Sequence, residues 1–157
     1  MDPFGTLDLA GEAATLAFAG RLAPCLAPGD VLALSGEIGA GKSVLARALI
    51  RARLGDPAAE VPSPSYTLVQ AYAAPGGEIW HADLYRLSAP EEADELGLWA
   101  AQEEGAILLI EWPERLAGAL PPSALTLRLE AGSPAHRLTL LGAPAWRERL
   151  EAALDPV

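Results

Sequence analysis

Hydrophobic positions in this chain fall into two patterns, short unbroken apolar runs and longer stretches with helical spacing. Thr6 to Ala10 predicts a short strand, and a helix follows from about Glu12 to Leu26, stopped by Pro28-Gly29. Val31 to Ser35 is apolar and too short for a helix, which predicts a buried strand. Helical spacing resumes at Lys42 and runs to about Leu54, where Gly55 supplies a C-terminal stop. Thr67 to Tyr72 and Glu78 to Leu84 flank the turn-like AAPGG and predict a β-hairpin. Pro90 with Glu91 and Glu92 predicts a helix start capped by Ser88 or Ala89, because proline suits the first turn and acids favour the positive end of the helix dipole. Ala106 to Ile110 reads as a strand buried on both faces. Leu125 to Leu129 and Arg137 to Leu141 predict a second hairpin, and Trp146 to Leu154 a closing helix. This order predicts an α/β fold: a single three-layer domain over residues 1–157, with a mixed, mostly parallel central sheet and β-hairpins at its edges.

Composition narrows the function. No apolar run approaches the ~20 residues of a membrane span. The N-terminal MDPFGTLDLAG carries acids where a signal peptide has a basic region. With one cysteine, Cys25, no internal disulfide is possible, and its apolar helical setting predicts a small buried hydrophobe. These features predict a cytoplasmic protein without membrane attachment. A net charge of −10 argues against gripping nucleic acid with its own surface, so a role on RNA would run through a partner. Of the eleven basic residues only Lys42 is lysine. A compact ammonium has its place where phosphate oxygens crowd, and arginine does not substitute there.

Lys42 lies within Gly36-Glu37-Ile38-Gly39-Ala40-Gly41-Lys42-Ser43, which satisfies G-x-x-x-x-G-K-[ST] at every fixed position. The strand VLALS precedes it and the helix SVLARALIRARL follows. Glycines let the backbone curl so that successive N–H groups face inward, and the helix N-terminus adds partial positive charge. This pattern predicts a P-loop NTPase fold, with Gly36, Ile38, Gly39, Ala40 and Gly41 around the phosphates. Lys42 would reach the β- and γ-phosphates, and the Ser43 hydroxyl would hold Mg2+. Such a site also needs an acid at the tip of a neighbouring buried strand. Glu111 supplies one after Ile107-Leu108-Leu109-Ile110, and Asp83 a second at the end of a less apolar strand. Either would hold the metal, directly or through water, while the other orients the attacking water. The chain has no asparagine and no spare lysine, so an Asn-Lys-x-Asp guanine reader is excluded and ATP becomes the expected nucleotide. Trp112 either stacks on a base or packs at the sheet edge.

GEIGAGKS, VPSPSYTLVQAY, HADLYRL and ILLIEWPER, in this order and spacing, resemble the bacterial ATPase family of tRNA threonylcarbamoyladenosine biosynthesis, TsaE. The resemblance extends from the GDVLALSGE strand to the final hairpin. It implies an accessory ATPase that works with a threonylcarbamoyl transferase and its inactive paralogue on adenosine 37 of tRNAs reading ANN codons. Hydrolysis there is thought to reset the complex, and tRNA is met indirectly. Carried over by motif, Lys42 and the loop bind phosphate, Ser43 and Glu111 bind magnesium, and Asp83 is catalytic or completes the metal shell. Ser63, Ser65 and Thr67 belong to a switch-like loop that senses the γ-phosphate. Glu12 to Thr15 approach the nucleotide, and Arg137 closes over it. Ser43 and Ser65 stand where the family usually has threonine, and Ile38 where leucine is common; both serines keep the hydroxyl, and Glu114 keeps its acid.

The remaining residues have plainer readings. His81 packs or supports Asp83 rather than acting as a base, and His136 is a surface residue. Trp80, Trp99 and Trp146 are core residues or interface anchors. Glu91-Glu92-Ala93-Asp94-Glu95 is a solvated helix face, or one that meets a basic partner. Two rival functions share the Lys42 site: a small-molecule kinase of the P-loop class, and a non-hydrolysing ATP-sensing interaction module.

Overall fold

Side-chain alternation along the most apolar strands divides the interior into two cores. The computed structural model describes residues 3–37, 39–62, 64 and 68–154. In chain order the elements are β1 (Pro3–Leu9), α1 (Gly11–Leu22), β2 (Val31–Ser35), α2 (Lys42–Leu54), β3 (Val69–Ala74), β4 (Gly77–Asp83), α3 (Glu92–Glu95), α4 (Leu98–Glu103), β5 (Ile107–Glu111), β6 (Leu125–Glu130), β7 (His136–Leu141), α5 (Pro144–Arg149) and α6 (Glu151–Leu154). Leu32 and Leu34 of β2, with Ile107 and Leu109 of β5, pack against Phe18 and Leu22 of α1 and Leu45 and Leu49 of α2. Val31, Leu108 and Ile110 point the other way, toward Ala93 of α3 and Leu98 and Ala101 of α4. The result is helix, sheet and helix in three layers around a sheet buried on both faces.

The seven strands lie in the order β1-β7-β6-β2-β5-β4-β3. β6, β2, β5 and β4 are parallel, while β7 and β1 on one side and β3 on the other pair antiparallel. Both expected hairpins are present, β3–β4 and β6–β7, and the sheet is mixed and mostly parallel as the element order predicts. Because β2 sits between β5 and β6, its C-terminal end opens where the connections diverge to either side, the usual place for a ligand crevice in such sheets.

Several boundaries differ from expectation for local reasons. The first helix ends at Leu22 and tightens into a 3₁₀ turn over Ala23–Cys25, where Pro24 has no N–H to continue the α ladder. The helix expected after Pro90 is two short pieces, because Gly97 takes φ +76° between them. Asp94 and Glu95 on the first piece, and Glu91 at its N-cap, face solvent. The closing helix starts earlier, at Pro144, and breaks at Leu150. β5 extends to Glu111, which brings that carboxylate into the strand. Trp80 and Trp99 are half-buried against the α3–α4 core. Among the described residues no helix is long and apolar enough to cross a membrane.

The closing helix is anchored at Trp146, which is 3 % exposed and donates Nε1–H to the Ser123 carbonyl at 2.7 Å. Arg149 lies over the Trp146 ring at 4.0 Å and donates to both Asp30 carboxylate oxygens, at 3.1 and 2.5 Å. Trp146→Phe keeps most of the packing but removes the bond to the Ser123 carbonyl, which lies on an exposed residue, and should cost about 0.5–1.5 kcal/mol of unfolding free energy by denaturant titration. A loss well under that range would mean that the ring alone anchors α5.

Candidate functional site

The site starts where β2 runs out of strand. Gly36, at φ +143°, leaves no room for a side chain, since a Cβ there would fall 2.3 Å from the backbone oxygen of Leu129 on β6. The next turn closes through the Ala40 N–H on the Glu37 carbonyl at 3.1 Å. Gly39 and Gly41 take φ +87° and +100° with open space around them, so conformation alone demands glycine there. Gly41 is also the N-cap of α2 and offers no side-chain acceptor, so the first N–H groups of this 13-residue helix stay available to an anion. Ile38 lies outside the described residues.

A cleft of about 300 Å³ opens beside this loop, with Lys42, Ser43, Asp83, Glu111 and Trp112 on its walls. Lys42 is 6 % exposed. Its ammonium donates to the Gly36 carbonyl and, at 3.2 Å, to the Glu37 carbonyl, and sits 3.9 Å above the Trp112 ring centroid. Desolvation pushes its pKa below the usual lysine value, a shift opposed by the negative charges of Glu111, Glu114, Asp83 and Glu37.

Parallel pairing sets the acids side by side, since Asp83 of β4 stands opposite Glu111 of β5. Glu111 is 2 % exposed; its Oε1 accepts the Ser43 hydroxyl at 3.1 Å, and its Oε2 lies 2.6 Å from His81 Nε2. Asp83 is also buried, and its Oδ1 accepts the Tyr85 N–H at 3.0 Å. The expectation that His81 supports Asp83 is thus corrected: the ring reaches across to Glu111 on the next strand. Ser43, Glu111 and Asp83 form an oxygen-only donor set, which suits a hard cation such as Mg2+. Among the described residues no group of three or more His, Cys, Asp or Glu converges to enclose a metal. Mg2+ does not need such a cage, because it takes one or two carboxylates and completes its shell from phosphates and water.

A second cavity, about 210 Å³, lies across the loop against α1. Glu12 and Thr15, one turn apart, share its wall with Gly39, Gly41, Leu9 and His136. His136 was expected at the surface, but it is half-buried there, and its buried Nδ1 has no hydrogen-bond partner among the described residues. Arg137 is exposed and lines neither cavity, because strand alternation turns it away from the face that carries His136 and Leu138. Ser63, Ser65 and Thr67 lie outside the described residues. Sequence reasoning also missed Tyr85, which is 47 % exposed and packs on Trp112 with ring centroids 5.0 Å apart. Of the two readings open for Trp112, the sheet-edge one fits this contact, with the ring lying over the loop lysine.

The family model for "Threonylcarbamoyl adenosine biosynthesis protein TsaE" matches residues 9–138. The chain belongs to the TsaE family. Curated tRNA threonylcarbamoyladenosine biosynthesis proteins TsaE include one from Rickettsia conorii, 40 % identical over 123 residues, covering 78 % of this chain and 69 % of that one. Another, from Haemophilus influenzae, is 37 % identical over 108 residues, 69 % of this chain and 67 % of its own. A third, from Mycobacterium tuberculosis, is 35 % identical over 150 residues, 90 % and 87 % of the two chains. The crystal structure of the Bacillus protein YdiB superposes with a TM-score of 0.75 at 24 % identity, covering 94 % of this chain and 92 % of that one, and so shares the fold. TsaE membership and a P-loop fold therefore agree.

The lone lysine makes its environment directly measurable. Since its folded-state pKa lies below the unfolded 10.5, the unfolded chain binds more protons in the window between the two. This contribution therefore makes stability rise with pH through that window. An NMR titration of isotope-labelled lysine reads Lys42 alone, and should show proton loss below pH 10.5 in the free protein and a rise when ADP is added. Titration at or above the ordinary value in the free protein would refute the desolvated ammonium.

Proposed function

We propose that this TsaE-family chain is an ATPase that binds Mg-ATP, hydrolyses it slowly alone, and is stimulated by a threonylcarbamoyl transferase and its inactive paralogue. Its work would serve N6-threonylcarbamoyladenosine at position 37 of tRNAs reading ANN codons, in the cytoplasm, with tRNA met only through that complex. The observation that carries the reading is the meeting of Ser43, Glu111 and Asp83 in one cleft beside Lys42.

In this reading the loop N–H groups and Lys42 bind the β- and γ-phosphates. Lys42 leaves the Gly36 and Glu37 carbonyls and exchanges them for phosphate oxygens, a stronger partner for an ammonium. Ser43 and Glu111 hold the magnesium, and Asp83 either completes its shell or orients the water that attacks. When bound, the metal neutralises charge developing on the phosphoryl oxygens. The Trp112 ring lines the cleft, with Tyr85 packed against it. The adenosine end would enter the α1 cavity, whose wall carries Glu12, Thr15 and His136. Family resemblance adds Ile38 to the cradle, Ser63, Ser65 and Thr67 as the γ-phosphate sensor, and Arg137 as a contact that would need to swing over the rim.

The test is phosphate release from ATP by the pure chain, alone and with the transferase pair plus tRNA. Release should be slow alone and rise with the complex. Lys42→Ala should weaken nucleotide binding at least roughly 10-fold, since the phosphates lose a charge-assisted partner. Glu111→Ala and Asp83→Ala should spare binding more than turnover, which should fall on the order of 100-fold. Full stimulated release by both acidic variants would refute the metal assignment. ATP binding without any release, partners included, would make the chain a sensor instead.

A further inference from the structure

One buried polar contact has no task in the proposed ATPase cycle. His81 is 1 % exposed, and its Nε2 stands 2.6 Å from Glu111 Oε2. The other ring nitrogen, Nδ1, is buried and has no hydrogen-bond partner among the described residues. Burying an imidazole with half its polar capacity unused is costly, and a structural position would avoid that cost with an aliphatic side chain. The neighbouring strand does so, since the residue paired with His81 in the β4–β5 register is Leu109. The polarity of His81 is spent on one bond, and that bond goes to a carboxylate.

The bond fixes an orientation. Glu111 Oε2 is taken by His81, while Oε1 accepts the Ser43 hydroxyl at 3.1 Å at the mouth of the phosphate loop. Held at both oxygens, the carboxyl group cannot rotate about its last side-chain torsion without breaking one buried bond. Ligand carboxylates at metal sites are commonly held by such outer hydrogen bonds, which set their direction and basicity.

We infer that His81 is a positioning residue: its Nε2–H holds Glu111 so that Oε1 and the Ser43 hydroxyl meet the metal of a bound nucleotide at a fixed angle. The inference rests on the reading of Glu111 as a magnesium-side acid. His81 then contributes to the gain in nucleotide affinity that magnesium confers, and contributes little to binding of the metal-free nucleotide.

Calorimetric titration of the full chain with ADP, in EDTA and across a magnesium series, separates these terms. In His81→Phe, ADP affinity in EDTA should stay within about twofold, while the magnesium concentration that half-saturates the affinity gain rises roughly 10- to 100-fold. His81→Gln, which can present an N–H to the same oxygen, should restore it to within a few-fold. If His81→Phe does not fold, His81→Met removes the donor with a more adaptable side chain. Equal loss of affinity with and without magnesium would make the role structural and overturn the inference, as would an unchanged magnesium requirement. Glu111→Gln is the control for the underlying reading. If it too leaves the magnesium requirement unchanged, Glu111 is no metal-side acid and that reading fails. If it removes the magnesium-dependent gain in affinity while His81→Phe leaves that gain unchanged, only the positioning role fails. In the native chain, nitrogen-15 spectra contain only two histidines. One should carry a slowly exchanging Nε2 proton that shifts when magnesium joins bound ADP; an unprotonated Nε2 at His81 overturns the inference.

Discussion

Two backbones meet too closely for a side chain at Gly36, and the arrangement of the phosphate end follows from that contact. The Leu129 oxygen of β6 occupies the place of a Cβ, so the chain leaving β2 must turn at once. It then passes through two more glycines in left-handed conformations and enters α2 with its first N–H groups facing back along the loop. Strand pairing extends the constraint sideways: Leu34 stands opposite Glu111, and Glu111 opposite Asp83. Ser43, the second residue of α2, therefore arrives above a carboxylate whose height is set by the sheet.

Much of this was legible from residue types, because each fixed position of the loop answers its own steric or electrostatic demand. Gly36, Gly39 and Gly41 are needed for space or for φ, and one lysine among eleven basic residues marks its place. The strand-tip acids were legible too, since a carboxylate directly after four aliphatics must sit where a buried strand reaches the sheet edge. What was not legible was which side chains meet across neighbouring strands and which face of a strand a residue takes. The partner of His81 lies on β5, and no spacing within β4 points to it. Arg137 and His136 differ by one step, and one step reverses the face of a strand. The core leucines Leu138 and Leu140 share a face with His136, so that pattern could have singled it out. Breaks in the helices escaped for a different reason: Gly97 was readable as a stop only once the packing of Leu98 against the second core was known.

Electrostatics give the site an unusual balance. The chain carries net charge −10, and four acids surround its one lysine. A polyphosphate approaching this end meets a desolvated ammonium, a set of N–H dipoles and several carboxylates at once. Toward an anion, the loop N–H groups and the ammonium attract while the acids repel.

The sheet also carries a consequence for the order in which it can be built. β1 pairs only with β7, so that Leu7 lies beside Leu138 across almost the whole sequence. During synthesis the first strand emerges long before its partner. The stretch from β2 to β5 carries the loop and both acids, but β6 must follow before Leu129 can close on Gly36 and β2 gains its second neighbour. The α1 cavity acquires its His136 wall only when β7 leaves the ribosome. The β1 edge therefore closes only after the final strand of the sheet has been made, and its pairing spans almost the whole sequence.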